Sequence, residues 1–303
     1  MKRKILISII TLFCCFHSTY TQTKGTMSKD NVRMGALANM VASIDIKDAD
    51  AAFKIWTDSF IRRLKAKNVY DFVFEYKMYE DVVSLKNDIN NNTINYFNVS
   101  TDVYFDLNTD NNFVPFLSGI NYNTENFIHY ILITSSSNKN TNLDQLVNKK
   151  INISKQVSKS FGIYWLKVLL RESLGTKDFK SIIFSTINQN ENEDLLAVYF
   201  NKADYALVSE GAFNLSCELN PSIKNKIKIL AKSEPVVNGV FVYRKGMKKS
   251  TINAIRDIAI NIHNDNEGRQ ILNLFKIERI IPITSKDLEA CEKIVIKFNN
   301  YFK

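Results

Sequence analysis

Residues 71-DFVFEYKMY-79, 80-EDVVSLKNDINN-91 and 94-INYFNVSTDVY-104 decide the fold. The first run alternates apolar and polar residues and stops at a tyrosine, the signature of a strand with one buried face. The middle run reads as a short helix. The third is a second strand, rich in aromatic and β-branched residues. Upstream, 32-VRMGALANM-40 reads as a buried strand ending in a loop. Residues 49–67 then place Phe53, Trp56, Phe60, Ile61 and Leu64 on one helical face. The order is βαβαβ, which predicts a parallel sheet with helices on its faces.

A similar run follows. Strands are expected at 127-FIHYILITSS-136, 180-KSIIFST-186, 203-ADYALVS-209, 226-KIKILAKS-233 and 239-GVFVYRKG-246. A short helix in 143-LDQLVNKKINIS-154 leads into another strand. Helices are expected after Ser160, over 193-EDLLAVYFN-201, over 250-STINAIRDIAINIHN-264 and 267-EGRQILNLF-275, and from Ser285 to the end. Two α/β units joined by extended segments imply two lobes with a cleft between them. Ligands in open α/β sheets bind at the carboxyl ends of strands.

The 303 residues suffice for two core-bearing lobes, and 45% hydrophobic with 23% charged residues is ordinary for a globular protein. The N-terminus reads as an export signal, with 2-KRK-4 as its basic region and 5-ILISIITLFCCF-16 as its apolar region. Two processing routes fit: cleavage before Gln22, or lipidation at Cys15 after a loose lipobox. Formal charge is +9, falling by three when Lys2, Arg3 and Lys4 are removed. The lysines are scattered (148-NKK-150, 224-KNKIK-228, 245-KGMKK-249), which suits a preference for anions and not a nucleic-acid reader. Of the mature cysteines, Cys217 and Cys291 have no metal-ligand spacing. An oxidising compartment permits a disulfide, and two buried thiols fit as well.

Catalytic motifs are missing from the sequence: no HExxH, no GxSxG and no Walker loop. His129 and His263 fall inside apolar patterns, and Glu191, Glu193 and Asp194 read as helix-start decoration. No cofactor is implied. Hydroxyls, by contrast, collect at strand ends: Tyr79, Ser100 and Thr101, then Tyr104, and Ser209 beside Glu210. Neutral donors of this kind hold an oxyanion without burying a counter-charge. In 153-ISKQVSKSFGIYWLKVLL-170 a polar run enters an apolar helix, so Ser158 or Ser160 sits at the N-cap. A capped helix and an anion site at its N-terminus both fit that pattern.

The order of these motifs resembles the substrate-binding proteins of phosphate/phosphonate ABC transporters, from about residue 30 to 298. Tyr79 in 78-MYEDVV-83 matches the family's binding tyrosine. The stretch 95-NYFNVSTDVY-104 is similar to its D-x-x-W-x-G-x-x-x-Y strand, with Asn95 for aspartate, Ser100 for glycine and Tyr104 retained. The stretch 158-SKSFG-162 falls on its S-T-S-G phosphoryl cradle, with Lys159 for threonine. Glu210 and Asn238 lie at or near positions where aminophosphonate binders carry carboxylates.

The resemblance implies an α/β, two-lobed type II periplasmic binding fold, each lobe a mixed sheet flanked by helices. Residues 1–21 would be the signal peptide, 28–122 with 239–303 lobe one, and 123–238 lobe two. It implies an exported, monomeric, non-enzymatic protein that closes on a small oxyanion (phosphate, a phosphonate or a relative) and delivers it to a membrane permease. A sensor or scaffold on the same fold, or a divergent enzyme, are the rival expectations.

Overall fold

The computed structural model describes residues 31–38, 46–67, 73–108, 110–121, 127–139 and 142–303. The expected signal peptide, Cys15, the end of the first loop and the lobe junction at residue 122 lie outside these.

Strand β1 (Val32–Leu37) leads through helix α1 (Ile46–Ala66) to β2 (Phe74–Tyr79), α2 (Val82–Asn90) and β3 (Tyr96–Ser100). β1 pairs in parallel with both β2 and β3, as the βαβαβ pattern requires. The segment expected as one strand through Tyr104 divides in two. Ser100 keeps an extended backbone, and α3 (Thr101–Leu107) begins after it with Asp102 in its first turn. A small polar residue followed by an acid is a helix start, and here it overrides the β-branched composition.

β4 (Phe113–Asn121) then runs antiparallel to the later strand β10. The sequence reading did not contain β4, because Pro115 lacks an N–H for a ladder bond. The sheet accommodates it at an irregularity, where the register shifts between Phe241 and Val242, and Val242 faces Pro115.

The second unit comprises β5 (Tyr130–Ser135), β6 (Lys150–Ile153), α4 (Gly162–Phe179), β7 (Ile183–Ser185), α5 (Glu191–Tyr199), β8 (Tyr205–Ser209), α6 (Glu210–Leu219), α7 (Ser222–Lys226) and β9 (Ile227–Lys232). The chain returns as β10 (Gly239–Arg244), α8 (Lys249–Asn261), α9 (Asn266–Leu274), β11 (Ile277–Pro282) and α10 (Glu289–Phe302). The result is two mixed sheets, one ordered β11-β4-β10-β3-β1-β2 and the other β7-β6-β8-β5-β9.

Among the described residues, three apolar clusters hold these layers. Phe53, Trp56 and Phe60 of α1 join Ile252, Ile255 and Ile258 of α8 on one face of the first sheet. On the second sheet, Ile131, Ile133, Ala206 and Val208 pack under Leu195 and Val198 of α5. The largest cluster is continuous across both sheets, from Leu37, Phe97 and Val99 to Leu132, Ile151 and Leu207. It also takes in Cys291 and Val295 of α10. α10 packs on both α3 and α4, with Phe298 4.5 Å from Tyr164 and Phe302 5.2 Å from Phe179 between ring centroids. Tyr164 of α4 also donates to Asp102 of α3 at 2.8 Å, so the two units meet directly.

Cys217 and Cys291 are free thiols, the first half-buried and the second fully buried. Among the described residues no helix is long and apolar enough to cross a membrane, and no cluster of ligands suits a metal ion.

Candidate functional site

The loop from Ser154 to Gly162 carries the expected anion cradle. It leaves the end of β6, makes a single 3-10 turn over Val157–Lys159, and enters α4. Ser154 builds the turn: its hydroxyl accepts from the Val157 N–H at 3.2 Å and its carbonyl from the Ser158 N–H at 2.9 Å. Ser158 is half-buried, and its hydroxyl donates to the Lys155 carbonyl at 3.0 Å. The Lys159 side chain is exposed. Ser160 has an extended backbone (φ −101°, ψ 170°) and accepts from the Gly162 N–H at 3.2 Å, the N-cap geometry. Its own hydroxyl donates to the Val157 carbonyl at 2.8 Å.

The next amide is the informative one. Phe161 N–H donates at 3.2 Å to Oδ1 of Asn238, a residue on the strand-to-strand crossover between the two sheets. Tyr130 at the start of β5 completes the group. Its hydroxyl donates to Asn238 Oδ1 at 3.0 Å and receives from Nδ2 at 2.8 Å, and it also bonds Ser160. The Tyr130 ring lies directly against the backbone of Gly162. Burial dominates its surroundings and pushes the phenol well above its ordinary range. From the other unit, Thr101 N–H donates to the Asn238 carbonyl at 3.0 Å, and the Thr101 hydroxyl donates to the carbonyl of Val237. Asn238 thus joins the start of α3 to the start of α4.

The sequence-expected residues fall into two groups around this point. Ser158, Lys159, Ser160 and Asn238 share the loop or its partner. Ser100 stands one residue before Thr101 and pairs with Gly239. It is half-buried at the cap of α3, and its hydroxyl makes no capping bond. The other residues are engaged within their own units. Tyr79 is 3% exposed and donates to Asp88 at 2.7 Å, with the Lys77 ammonium 4.9 Å above its ring. Tyr104 is buried and accepts from Asn108 at 2.8 Å. Ser209 caps α6 through the Ala212 N–H at 3.2 Å. Glu210 forms a two-oxygen ion pair with Lys232, 2.7 Å to each.

Three features of this region escaped the sequence reading. Tyr130 looked like one more aromatic of a buried strand, and the Phe161 amide carries no residue-type signal. Glu191 read as a helix-start acid, but its carboxylate turns back to accept from the Ser209 N–H. Burial raises the Glu191 carboxyl, while the Ser209 amide and hydroxyl oppose the shift. His129 is tied through Nδ1 to the Ser233 carbonyl at 2.9 Å, a structural role.

Chemically, the arrangement offers a helix start whose first amides have internal partners, two of them side-chain oxygens, Asn238 Oδ1 and Ser160 Oγ. A helix N-terminus favours negative charge and oxygen acceptors.

A family model described as "ABC transporter, phosphonate, periplasmic substrate-binding protein" matches residues 43–288. No curated protein sequence matches the chain. Among solved structures, a Xanthomonas citri protein bound to ATP is similar at 13% identity, with a TM-score of 0.61 over 90% of this chain and 98% of that one. PhnD1 of Prochlorococcus marinus, in complex with methylphosphonate, is similar at 13% identity and a TM-score of 0.57, covering 90% and 99% of the two chains. A binding protein component of a Pseudomonas aeruginosa ABC phosphonate transporter reaches 11% identity and 0.52, covering 90% and 88%. At such identities the likeness is one of fold.

Proposed function

The chain belongs to the periplasmic substrate-binding family of phosphonate ABC transporters, and on that premise we propose that it captures a phosphorus oxyanion at the start of α4. Membership carries the general role: an exported periplasmic protein that binds a small solute and delivers it to an ABC permease. The ligand, the contact residues, the monomeric state and any lipid anchor at Cys15 belong to the proposal.

The observation that supports it is the Phe161–Asn238 contact. A carboxamide oxygen at a helix N-terminus is a neutral stand-in for an oxyanion, and a charged oxygen on the same N–H makes the stronger bond. On binding, the ligand displaces Asn238 Oδ1 from Phe161. Ser100, Ser158 and Ser160 turn their hydroxyls to it, and Lys159 supplies charge from the rim. Thr101, Tyr104, Tyr79, Ser209 and Glu210 hold the frame through the bonds described above. Lobe one is taken as residues 28–122 with 239–303 and lobe two as 123–238, a division supported by which sheet each strand joins. Asn238 then lies at the crossover, where a bond exchanged on ligand binding is felt by both lobes.

A thermal-shift panel on residues 26–303 tests this, using phosphate, phosphite, methylphosphonate, 2-aminoethylphosphonate, sulfate and several amino acids. A ligand at about 100 times its Kd adds about 2.7 kcal/mol of stability. The expected result is stabilisation by phosphorus oxyanions that is lost in Ser160→Ala. Stabilisation by amino acids alone would overturn the ligand class.

A further inference from the structure

We propose that the pole of the second unit farthest from the α4 start is a docking face for a membrane surface rich in anionic lipid. The inference concerns a region that the ligand reading does not use, so the two can fail separately.

The topology creates the face. β6, β7, β8 and β9 all begin at one end of the second sheet, and β5, antiparallel to β8 and β9, finishes there. α4, α5 and α6 follow β6, β7 and β8 in turn, so each runs back and ends at the same pole. The opposite end of the sheet holds Tyr130 paired with Ser209, and it is the end that carries the cradle loop.

Charge is sorted along this axis. At the pole, residues 136–139, 142–150, 177–183, 199–205 and 218–228 contain nine lysines, four acids and no arginine. The cradle end, residues 154–162, 186–193, 209–212 and 232–238, has three lysines and four acids. Basic charge is therefore concentrated away from the ligand region. Backbone bonds tie the lysine-bearing segments into one surface. The Ile183 N–H donates to the Lys149 carbonyl at 3.0 Å, and the Ser136 N–H to the Lys226 carbonyl at 2.8 Å. The Ser137 hydroxyl donates at 3.3 Å to Asn201, the neighbour of Lys202. Lys150, Lys202, Lys224, Lys226 and Lys228 are exposed, and among the described residues none of them forms an ion pair.

Apolar side chains stand among these cations. Phe200 at the end of α5 is 60% exposed, and Leu219 at the end of α6 is 81% exposed. The Lys202 ammonium lies 5.9 Å from the Phe200 ring, and that of Lys226 lies 4.7 Å from the ring of Tyr199. The two rings are 4.9 Å apart, and the Tyr199 hydroxyl is bonded to Ser222 at the start of α7 at 2.7 Å.

A protruding aromatic beside lysines suits a lipid interface. The ring enters the boundary between headgroups and acyl chains, while the ammonium groups meet lipid phosphates. An acidic protein partner fits less well. Protein interfaces are depleted in lysine and enriched in arginine, the reverse of this pole. Docking through the pole leaves the α4 start clear of the bilayer and concentrates the protein at the membrane that holds the permease.

The test is vesicle sedimentation of residues 26–303, which contain every described element and omit both the apolar leader and Cys15. The vesicles are phosphatidylcholine alone or an equal mixture with phosphatidylglycerol. Titrations are made at about 0.1 M and about 1 M salt, between which the screening length falls from about 10 Å to about 3 Å. The expected result is partition into the mixed vesicles at the lower salt, weakened at least about tenfold at the higher salt and on neutral vesicles. Lys224→Glu with Lys226→Glu should weaken it at least about tenfold, and Phe200→Ser several-fold. Lys65→Glu with Lys86→Glu makes the same charge change on exposed positions of the first unit and should alter partition less than about twofold. Circular dichroism checks that each variant is folded, and the wild-type titrations test the anionic preference without them.

No partition into the mixed vesicles overturns the inference and leaves the face to an acidic protein. Equal partition into neutral vesicles overturns the electrostatic basis. An equal loss in the first-unit variant overturns the placement at the pole, because overall charge alone would then explain the binding. Each of these results leaves the oxyanion reading standing, since the thermal-shift panel contains no lipid.

Discussion

Gly162→Ala is a substitution on which two forces disagree in sign. In a helix, alanine is better than glycine by about 1 kcal/mol, so propensity alone favours the change. The structure opposes it. A Cβ at Gly162 meets Tyr130 Cδ1 at 2.6 Å, Cε1 at 2.7 Å and Cγ at 2.8 Å, all inside van der Waals contact. The ring cannot swing aside, because Tyr130 is only 2% exposed and its hydroxyl is bonded to Asn238. Overpacking a filled core costs about 1–3 kcal/mol. Net of propensity, destabilisation of up to about 2 kcal/mol is expected. Urea unfolding reads it as a lowered midpoint. In a Tyr130→Ala background the clash is gone, and the same substitution should be neutral or stabilising, which a double-mutant cycle reports directly. A Gly162→Ala protein at least as stable as wild type would refute the claim that Tyr130 is locked against the cradle.

Two further outcomes follow from other buried groups. Burial, with repulsion from Glu193 adding and Asn188 opposing, pushes the Asp194 carboxyl up to about 6. The native state then holds a proton that the unfolded chain has lost between about pH 4 and about pH 6, so this residue makes stability fall as pH rises through that window. Asp194→Asn should flatten that part of the stability profile, and an unchanged slope would count against it. Burial likewise pushes the Cys291 thiol up to about 12. Residues 26–303 titrated with a thiol reagent should therefore label at Cys217 before unfolding and at Cys291 only after it; early labelling of Cys291 would show that α10 opens.

The alternating and apolar patterns carried most of the architecture, because β1, β2, β3 and β5 each bury a regular set of side chains. What stayed hidden had local physics at odds with its context. Pro115 and Gly119 disguise β4, which survives because the ladder is irregular opposite the proline and Ile277 fills the space over the glycine. Thr101–Leu107 looks like a strand by composition and is a helix because Ser100 and Asp102 start it.

At the candidate site, Ser158 and Ser160 were readable from the sequence as helix-start hydroxyls, while Lys159 and Asn238 entered only through the family resemblance. Tyr130 and Glu191 were not readable. A tyrosine on a buried strand and an acid at a helix start each have a commoner explanation, and only tertiary contacts set them apart. The pairing of Phe161 with Asn238, far apart in sequence, is invisible to any local pattern.

The central claim is that a phosphorus oxyanion takes the place of Asn238 Oδ1 on the Phe161 N–H. A crystal structure of residues 26–303 grown with methylphosphonate measures this directly. The account predicts a ligand oxygen accepting from Phe161, with the Asn238 carboxamide moved off that amide. A ligand bound elsewhere, with the Phe161–Asn238 bond still at 3.2 Å, would contradict it.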